Sequence, residues 1–268
     1  MTKIYQVFYD SISEASVDKN FIPYDNSNPE EVGWFEYSAM RNILLSSNLD
    51  SNEYLGILSP RFLEKTGMTG LDVLDVVLNS NKEVISFSPD FFTSTMYMHS
   101  FISAEQSHPG ITSLGQEICN ALHLDVNIKS LCQDQTRIIY ANFFIAKYSF
   151  WIKWFALSEK IYIMANDPTS IFYAKLNSFC EHRQQSNKYQ YKVFIVERLV
   201  SLVLEHYSVN AEIGMNFEKY LNNKPKEANV FPRMLLLDAL KSQYKKSKRL
   251  EFLRLYDLHR TELLNVWY

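Results

Sequence analysis

A chain of 268 residues that is 47% hydrophobic and 15% aromatic has material for one large domain or two small ones and is not broadly disordered. Its formal charge of −3 and pI near 6.1 supply no global basic field, so nucleic acid is not the expected partner. Cys119, Cys132 and Cys180 form an odd set without CxxC spacing, which argues against a disulfide framework and a zinc site and fits a reducing cytosol.

The first residues lack the basic start, apolar stretch and cleavage site of a signal peptide, and residues 3–9 read directly as a strand. Residues 10–33 read as a polar loop, of a length that compact domains keep for binding or leave disordered. A helix is predicted over 34–46 from the spacing of Trp34, Tyr37 and Leu44. A second strand, 54–58, stops at Ser59-Pro60, and Thr69 caps a helix running to Asn79. A third strand, 83–88, stops at Pro89. Ligands of open α/β sheets sit beyond the carboxyl ends of strands, so Ser59, Arg61, Ser88 and Asp90 belong to a candidate cleft by position.

His108-Pro109-Gly110 is a turn that either caps the helix predicted over 111–124 or serves a site. A buried strand is expected over 137–146, with the polar Asn142 inside it. Helices follow at 149–165, 169–180 and 188–207, and a short strand at 211–217. Residues 222–229 have linker composition, and two charged helices complete the chain. The alternation predicts an α/β fold with a mostly parallel sheet flanked by helices, a main domain over 1–221 and a helical C-terminal extension over 222–268. The richest apolar run, 138–165, is broken by Lys147, Lys153, Glu159 and Lys160, so no membrane span is expected.

Several signatures are missing: there is no G-x-G-x-x-G, P-loop, G-x-S-x-G or H-E-x-x-H. The six histidines lack ligand spacing. The excess of Tyr and Phe fits either a ring-rich core or stacking floors for sugars and bases.

Taken together, Ile4-Tyr-Gln-Val-Phe-Tyr9, Phe21-Ile-Pro-Tyr-Asp-Asn26, Phe35-Glu-Tyr-Ser-Ala-Met-Arg-Asn42, Tyr54-Leu-Gly-Ile-Leu-Ser-Pro-Arg-Phe62 with Lys65-Thr-Gly67, Phe87-Ser-Pro89, His108-Pro-Gly110, Ala141-Asn-Phe-Phe-Ile-Ala-Lys147 and Val196-Glu-Arg-Leu199 carry a resemblance. Over residues 3–206 the chain resembles bacterial GT-A-like glycosyltransferases encoded with O-antigen and capsule genes. It is similar to the galactofuranosyltransferase domain of bifunctional O-antigen polymerases. The resemblance implies a GT-A-like (Rossmann-type) sheet, a nucleotide-sugar donor such as UDP-galactofuranose, and a glycan or lipid-linked oligosaccharide acceptor. It also implies a cytoplasmic enzyme, peripheral to the inner membrane, in surface-polysaccharide assembly.

Glu197 falls on the position where such transferases open a helix with an acidic pair and supply a base, and Asp90 is the second choice. Here the pair is Glu-Arg, which leaves one carboxylate. Donor and substrate contacts are expected from Tyr9, Asp25, Asn26, Ser59, Arg61, Lys65, Ser88, His108, Asn142 and Arg198, with Trp34 and Phe91 as further rim aromatics. The family's Asp-x-Asp is absent, since the equivalent strand ends Phe87-Ser-Pro-Asp90. A lone Asp is a weak site for Mn²⁺ or Mg²⁺, so the metal requirement stays open. Arg61, Lys65 and Arg198 are the expected partners of the diphosphate.

Each assignment has a structural competitor. Glu197 and Arg198 flank an apolar helix face and fit surface ion pairing, Asn142 fits a strand bulge, and Asp25-Asn26 fit turn chemistry. Trp151 and Trp154 read as core. Lys241, Lys245, Lys246, Lys248 and Arg249 form either a solvated helix face or a surface for anionic lipid. The alternative to an enzyme is a catalytically silent scaffold that recruits a partner glycosyltransferase through the C-terminal helices.

Overall fold

The computed structural model describes residues 2–180 and 189–267; the expected helix start at Lys188 and the histidine at 182 lie outside the described residues. Strand β1 (Thr2–Phe8) is the hub of the main sheet, pairing in parallel with β2 (Ile22–Asp25) on one side and β3 (Tyr54–Leu58) on the other. The strands β4 (Val84–Ser86) and β5 (Phe144–Lys147) follow, and β6 (Phe179–Cys180) with β7 (Tyr189–Gln190) makes a separate two-stranded ribbon. With β8 (Ala211–Ile213) the main sheet has six strands in the order β2-β1-β3-β5-β4-β8.

Only β5 is reversed. It runs antiparallel to both β3 and β4, while the other main-sheet strands are parallel. The chain entering β5 therefore lies at the same edge as the carboxyl ends of β1, β3 and β4. That placement brings the 140–143 turn to the edge where α/β sheets bind ligands.

Central strands are apolar on both faces because helices cover both. Alternation along β4 and β5 splits the core in two: Val84 and Phe144 face one layer, Ile85 and Ile145 the other. Gly56 in β3 is a close-approach glycine, since a Cβ there would stand 2.8 Å from the Ile145 side chain.

The first layer contains α2 (Glu36–Ser46), α7 (Ile111–Ala121), α8 (Tyr148–Asn166) and α10 (Tyr191–His206). Trp151 of α8 stacks on Phe144 at 4.6 Å, and its indole N–H donates to the Leu55 carbonyl at 2.8 Å, which satisfies a fully buried donor. The second layer contains α3 (Phe62–Thr66), α4 (Gly70–Asn79), α5 (Phe91–Met96), α13 (Phe231–Ser247) and α14 (Leu250–Trp267). Short helices α1 (Ser11–Glu14), α6 (Ser100–Ala104), α9 (Tyr173–Asn177), α11 (Phe217–Asn222) and α12 (Pro225–Ala228) complete the chain.

Several expected elements change. The stretch read as a loop over 10–33 contains α1 and the edge strand β2, whose Pro23 and mostly exposed side chains disguise it. The helix expected over 34–46 starts only at Glu36, after a 3-10 turn and Phe35 with φ of 47°. The strand expected over 137–146 is shortened to β5, because Ala141 and Asn142 take left-handed φ values of 58° and 54° that cannot extend a ladder. The 169–180 helix is reduced to α9, and the predicted linker holds α12.

The C-terminal helices share the second core. Met234, Leu237, Tyr256 and Leu263 are buried in it, and the Tyr256 hydroxyl donates to the Thr95 carbonyl at 2.9 Å. Lys241 is buried rather than part of a basic face, with its ammonium donating to the Ser94 and Tyr97 carbonyls. Lys245 pairs with Glu205 at 2.6 Å, so the expected cationic cluster is not one open patch. Among the described residues, no helix is long and apolar enough to cross a membrane.

Candidate functional site

Leaving β1, the chain turns to β2 on one side and continues to β3 on the other, so the carboxyl ends of β1 and β3 flank a topological switch point. A cleft of about 410 Å³ opens there, within the size range of small-molecule sites. It adjoins a more polar lobe of about 250 Å³, and Lys65, Ala141, Phe194 and Glu197 line both.

The larger lobe has aromatic walls and an acidic floor. Tyr9 follows β1, Trp34 and Phe35 precede α2, and Tyr189 and Phe194 close the far side, with the Phe35 and Tyr189 rings 5.2 Å apart. Glu36, the first residue of α2, is half-buried among them. Burial pushes its carboxyl up to about 7, with the Glu197 charge adding to the rise while Asn142 and Lys65 oppose it. Asn142 Nδ2 donates to Glu36 Oε2 at 3.3 Å, and among the described residues the buried Asn142 Oδ1 has no hydrogen-bond partner.

Glu197 enters from α10, where the Ala141 N–H donates to its Oε1 at 3.3 Å and Arg198 Nη1 stands 3.9 Å from its Oε2. It lies in the second turn of α10 and not at the helix start, because the helical apolar spacing already begins at Tyr191. Arg198 is 6% exposed and is fixed by the carbonyls of Ser100 and Phe194, so its charge is aimed before any ligand arrives.

Backbone strain gathers here. Among the described residues six non-glycines have positive φ, and three of them, Phe35, Ala141 and Asn142, line this cleft. Such conformations cost roughly 1–3 kcal/mol each and persist where the surrounding structure holds them, often at functional sites. Two expected site residues provide that support from outside the lining. Asn26 is buried and donates to the Phe35 carbonyl at 3.4 Å, and Ser88 Oγ accepts the Tyr140 N–H at 3.0 Å, anchoring the 140–143 turn.

The polar lobe brings Asp90 and His108 to Lys65, Glu197 and Arg198. His108 stacks on Phe194 with ring centres 3.7 Å apart. Burial raises the Asp90 carboxyl above its ordinary range, opposed by Lys65 and Lys224 and reinforced by Glu197. Lys65 stands 5.5 Å above the Phe143 ring and is the cation common to both lobes.

Not every expected residue joins the cleft. Arg61, just past β3, turns to Glu64 in a bidentate pair at 2.9 and 2.7 Å and lines a separate hollow of about 700 Å³ with Asp10 and Asp18. It therefore does not accompany Lys65 and Arg198. Ser59 is buried, accepts the Arg61 N–H, and its carbonyl takes the Gln6 amide at 3.2 Å. Asp25 is exposed and accepts the Ser27 N–H, the turn contact that holds its carboxyl below the usual range. Phe91 packs in a cluster with Phe217 and Phe231 and is not a rim residue.

No protein-family model matches the chain, and neither curated proteins nor solved structures give a match. The site is thus read from its own residues. Glu36 and the wall residues Tyr189 and Phe194 were not singled out by sequence. An acid at a helix start reads as ordinary dipole pairing, and only the fold faces it toward Glu197.

For a divalent ion the donor set is thin. Among the described residues no group of three or more His, Cys, Asp or Glu side chains is arranged to hold a metal. Asp90 and Glu197 share a lobe with Lys65 and Arg198, so this lobe already carries two cations of its own.

Proposed function

We propose that this protein is a GT-A-like glycosyltransferase that moves a sugar from a nucleotide-sugar donor to a glycan or lipid-linked oligosaccharide acceptor in bacterial surface-polysaccharide assembly. UDP-galactofuranose is the donor favoured by the sequence resemblance. One observation carries the reading: carboxylates, cations and aromatic rings converge in one cleft at the switch edge of the sheet.

Each part meets a requirement of the chemistry. The acceptor hydroxyl must lose its proton as it attacks the anomeric carbon, and Glu36 and Glu197 are the acids in the larger lobe. The departing diphosphate gains negative charge, which Lys65 and Arg198 neutralise from the adjoining lobe. Tyr9, Phe35 and Phe194 offer faces to a uracil or to sugar rings. The enzyme would work at the cytoplasmic face of the inner membrane, where a lipid-linked acceptor is presented.

Titration calorimetry with UDP, UDP-galactose and UDP-galactofuranose, with and without Mn²⁺, tests this reading. Saturable binding that weakens in Lys65→Ala is the expected result. A second reading, a silent scaffold, draws on the missing Asp-x-Asp and on Leu250, Leu255 and Leu258, which leave apolar side chains exposed on α14. No donor binding under either condition, together with a tight complex with a transferase encoded nearby, would favour the scaffold.

A further inference from the structure

Resting on the transferase reading, we propose that Glu36, and not Glu197, is the base that takes the proton from the attacking acceptor hydroxyl, with Asn142 positioning it. In this step the acceptor oxygen bonds to the anomeric carbon as its O–H bond breaks and the proton passes to a Glu36 oxygen. The bond from the anomeric carbon to the diphosphate oxygen breaks, and its electron pair leaves with the nucleotide.

The two acids of the larger lobe differ in how they are held. Glu197 is already engaged: the Ala141 N–H donates to one oxygen, and the Arg198 guanidinium lies within 4 Å of the other. A carboxylate already held beside a guanidinium is suited to receiving hydroxyl hydrogen bonds from a bound sugar. Glu36 has the opposite circumstances. Among the described residues it takes one side-chain hydrogen bond, from Asn142 to Oε2 at 3.3 Å, and it borders the cleft.

Asn142 supplies the independent sign that a polar ligand belongs here. It is 8% exposed, it lines the cleft, and among the described residues its Oδ1 has no hydrogen-bond partner. A buried amide oxygen left unpaired is costly unless something else donates to it. A sugar hydroxyl beside Glu36 would satisfy it, and would place the reacting O–H next to the base. Asn142 and its neighbour Ala141, together with Phe35 immediately before Glu36, hold this geometry in left-handed backbone.

The titration of Glu36 suits the task. The charged and titratable groups facing it are Glu197 from α10, Lys65 from α3 and Tyr9 after β1. Burial outweighs the attraction of Lys65 and brings the carboxyl to about 7, near the ideal for a base working at neutral pH. Tyr9 is driven upward by its own burial and then by the Glu36 charge, so it stays a neutral phenol.

The test is a coupled UDP-release assay with UDP-galactofuranose and an octyl galactoside acceptor, run from pH 5 to 9 beside calorimetric donor binding. In Glu36→Gln, kcat should fall by about 10²–10⁴-fold, donor affinity should stay within about two-fold, and the ascending pH limb near 7 should vanish. Added formate should restore part of the turnover of Glu36→Ala, which a purely structural role would not allow. Glu197→Gln should keep the limb and raise the acceptor KM. If Glu36→Gln turns over within about five-fold of wild type, or if Glu197→Gln is the variant that loses the limb, the assignment is overturned while the transferase reading stands. Wild-type protein that neither binds the donor nor releases UDP would overturn both.

Discussion

Burial shifts both Lys241 and Glu36 away from their ordinary titration ranges, and their surroundings differ in every other respect. Lys241 is 0% exposed between α13 and α5, with its ammonium spent on the Ser94 and Tyr97 carbonyls near the end of α5 and with Asp238 as the nearest opposing charge. Burial pulls it down to about 8 and pushes Asp238 up to about 6, and the attraction between the two opposes both shifts. Among the described residues Glu36 has one side-chain hydrogen bond, with strained backbone at Phe35 before it and at its partner Asn142, and an open cleft in front. A buried charge whose bonds are complete ties elements together. One left incomplete beside a cavity is available for chemistry.

The sharpest way to break this comparison is the turnover of Glu36→Gln, where a loss of about 10²–10⁴-fold is expected while Lys241→Met leaves kcat within a few-fold. Second in size is stability. Lys241→Ala strips two carbonyls of their donor and leaves Asp238 buried without its counter-charge, which should lower the unfolding free energy by about 3–5 kcal/mol in urea titrations. An unchanged midpoint would mean that the ammonium is not a clamp.

Donor affinity comes next. Lys65→Ala should weaken UDP-sugar binding about ten-fold, in line with loss of a charge-assisted contact, whereas Arg61→Ala should change it less than two-fold because that guanidinium is occupied by Glu64. Equal effects at the two positions would show that the cleft and the separate hollow cooperate.

The smallest effect, and a direct check on the burial of Glu36, is the pH dependence of melting. A carboxyl raised in the folded state costs nothing below its unfolded value of 4.5, and ionising it destabilises the fold progressively until the pH passes about 7. Glu36→Gln should therefore melt a few degrees above wild type at pH 8, and the gap should close at pH 4. Identical melting at both values would place Glu36 in ordinary solvent.

Much of the sheet was legible. The strand at 54–58 and the capped helix ending at Asn79 follow from local apolar patterns and from the Thr69 side chain, which accepts the Asp72 N–H as the spacing predicts. The edge strand Ile22–Asp25 was not legible, because an edge needs no apolar face and carries Pro23. The reversal of β5 was equally hidden. A run such as Phe144–Lys147 reads the same in either direction, and its orientation is decided by which neighbours accept it.

The candidate site divides in the same way. Glu197, Lys65, Asp90, His108, Tyr9, Asn142 and Arg198 were named from sequence and line the cleft, yet the fold removed Arg61 from that group and added Glu36. Local composition determined many of the elements, the burial of the central strands and the residue types available for binding, because these depend on side-chain polarity along a short stretch. Tertiary structure alone decided that the start of α2, the turn before β5 and the second turn of α10 meet. That meeting joins residues 56 and 106 positions apart, and it comes from the packing of both helices against one sheet.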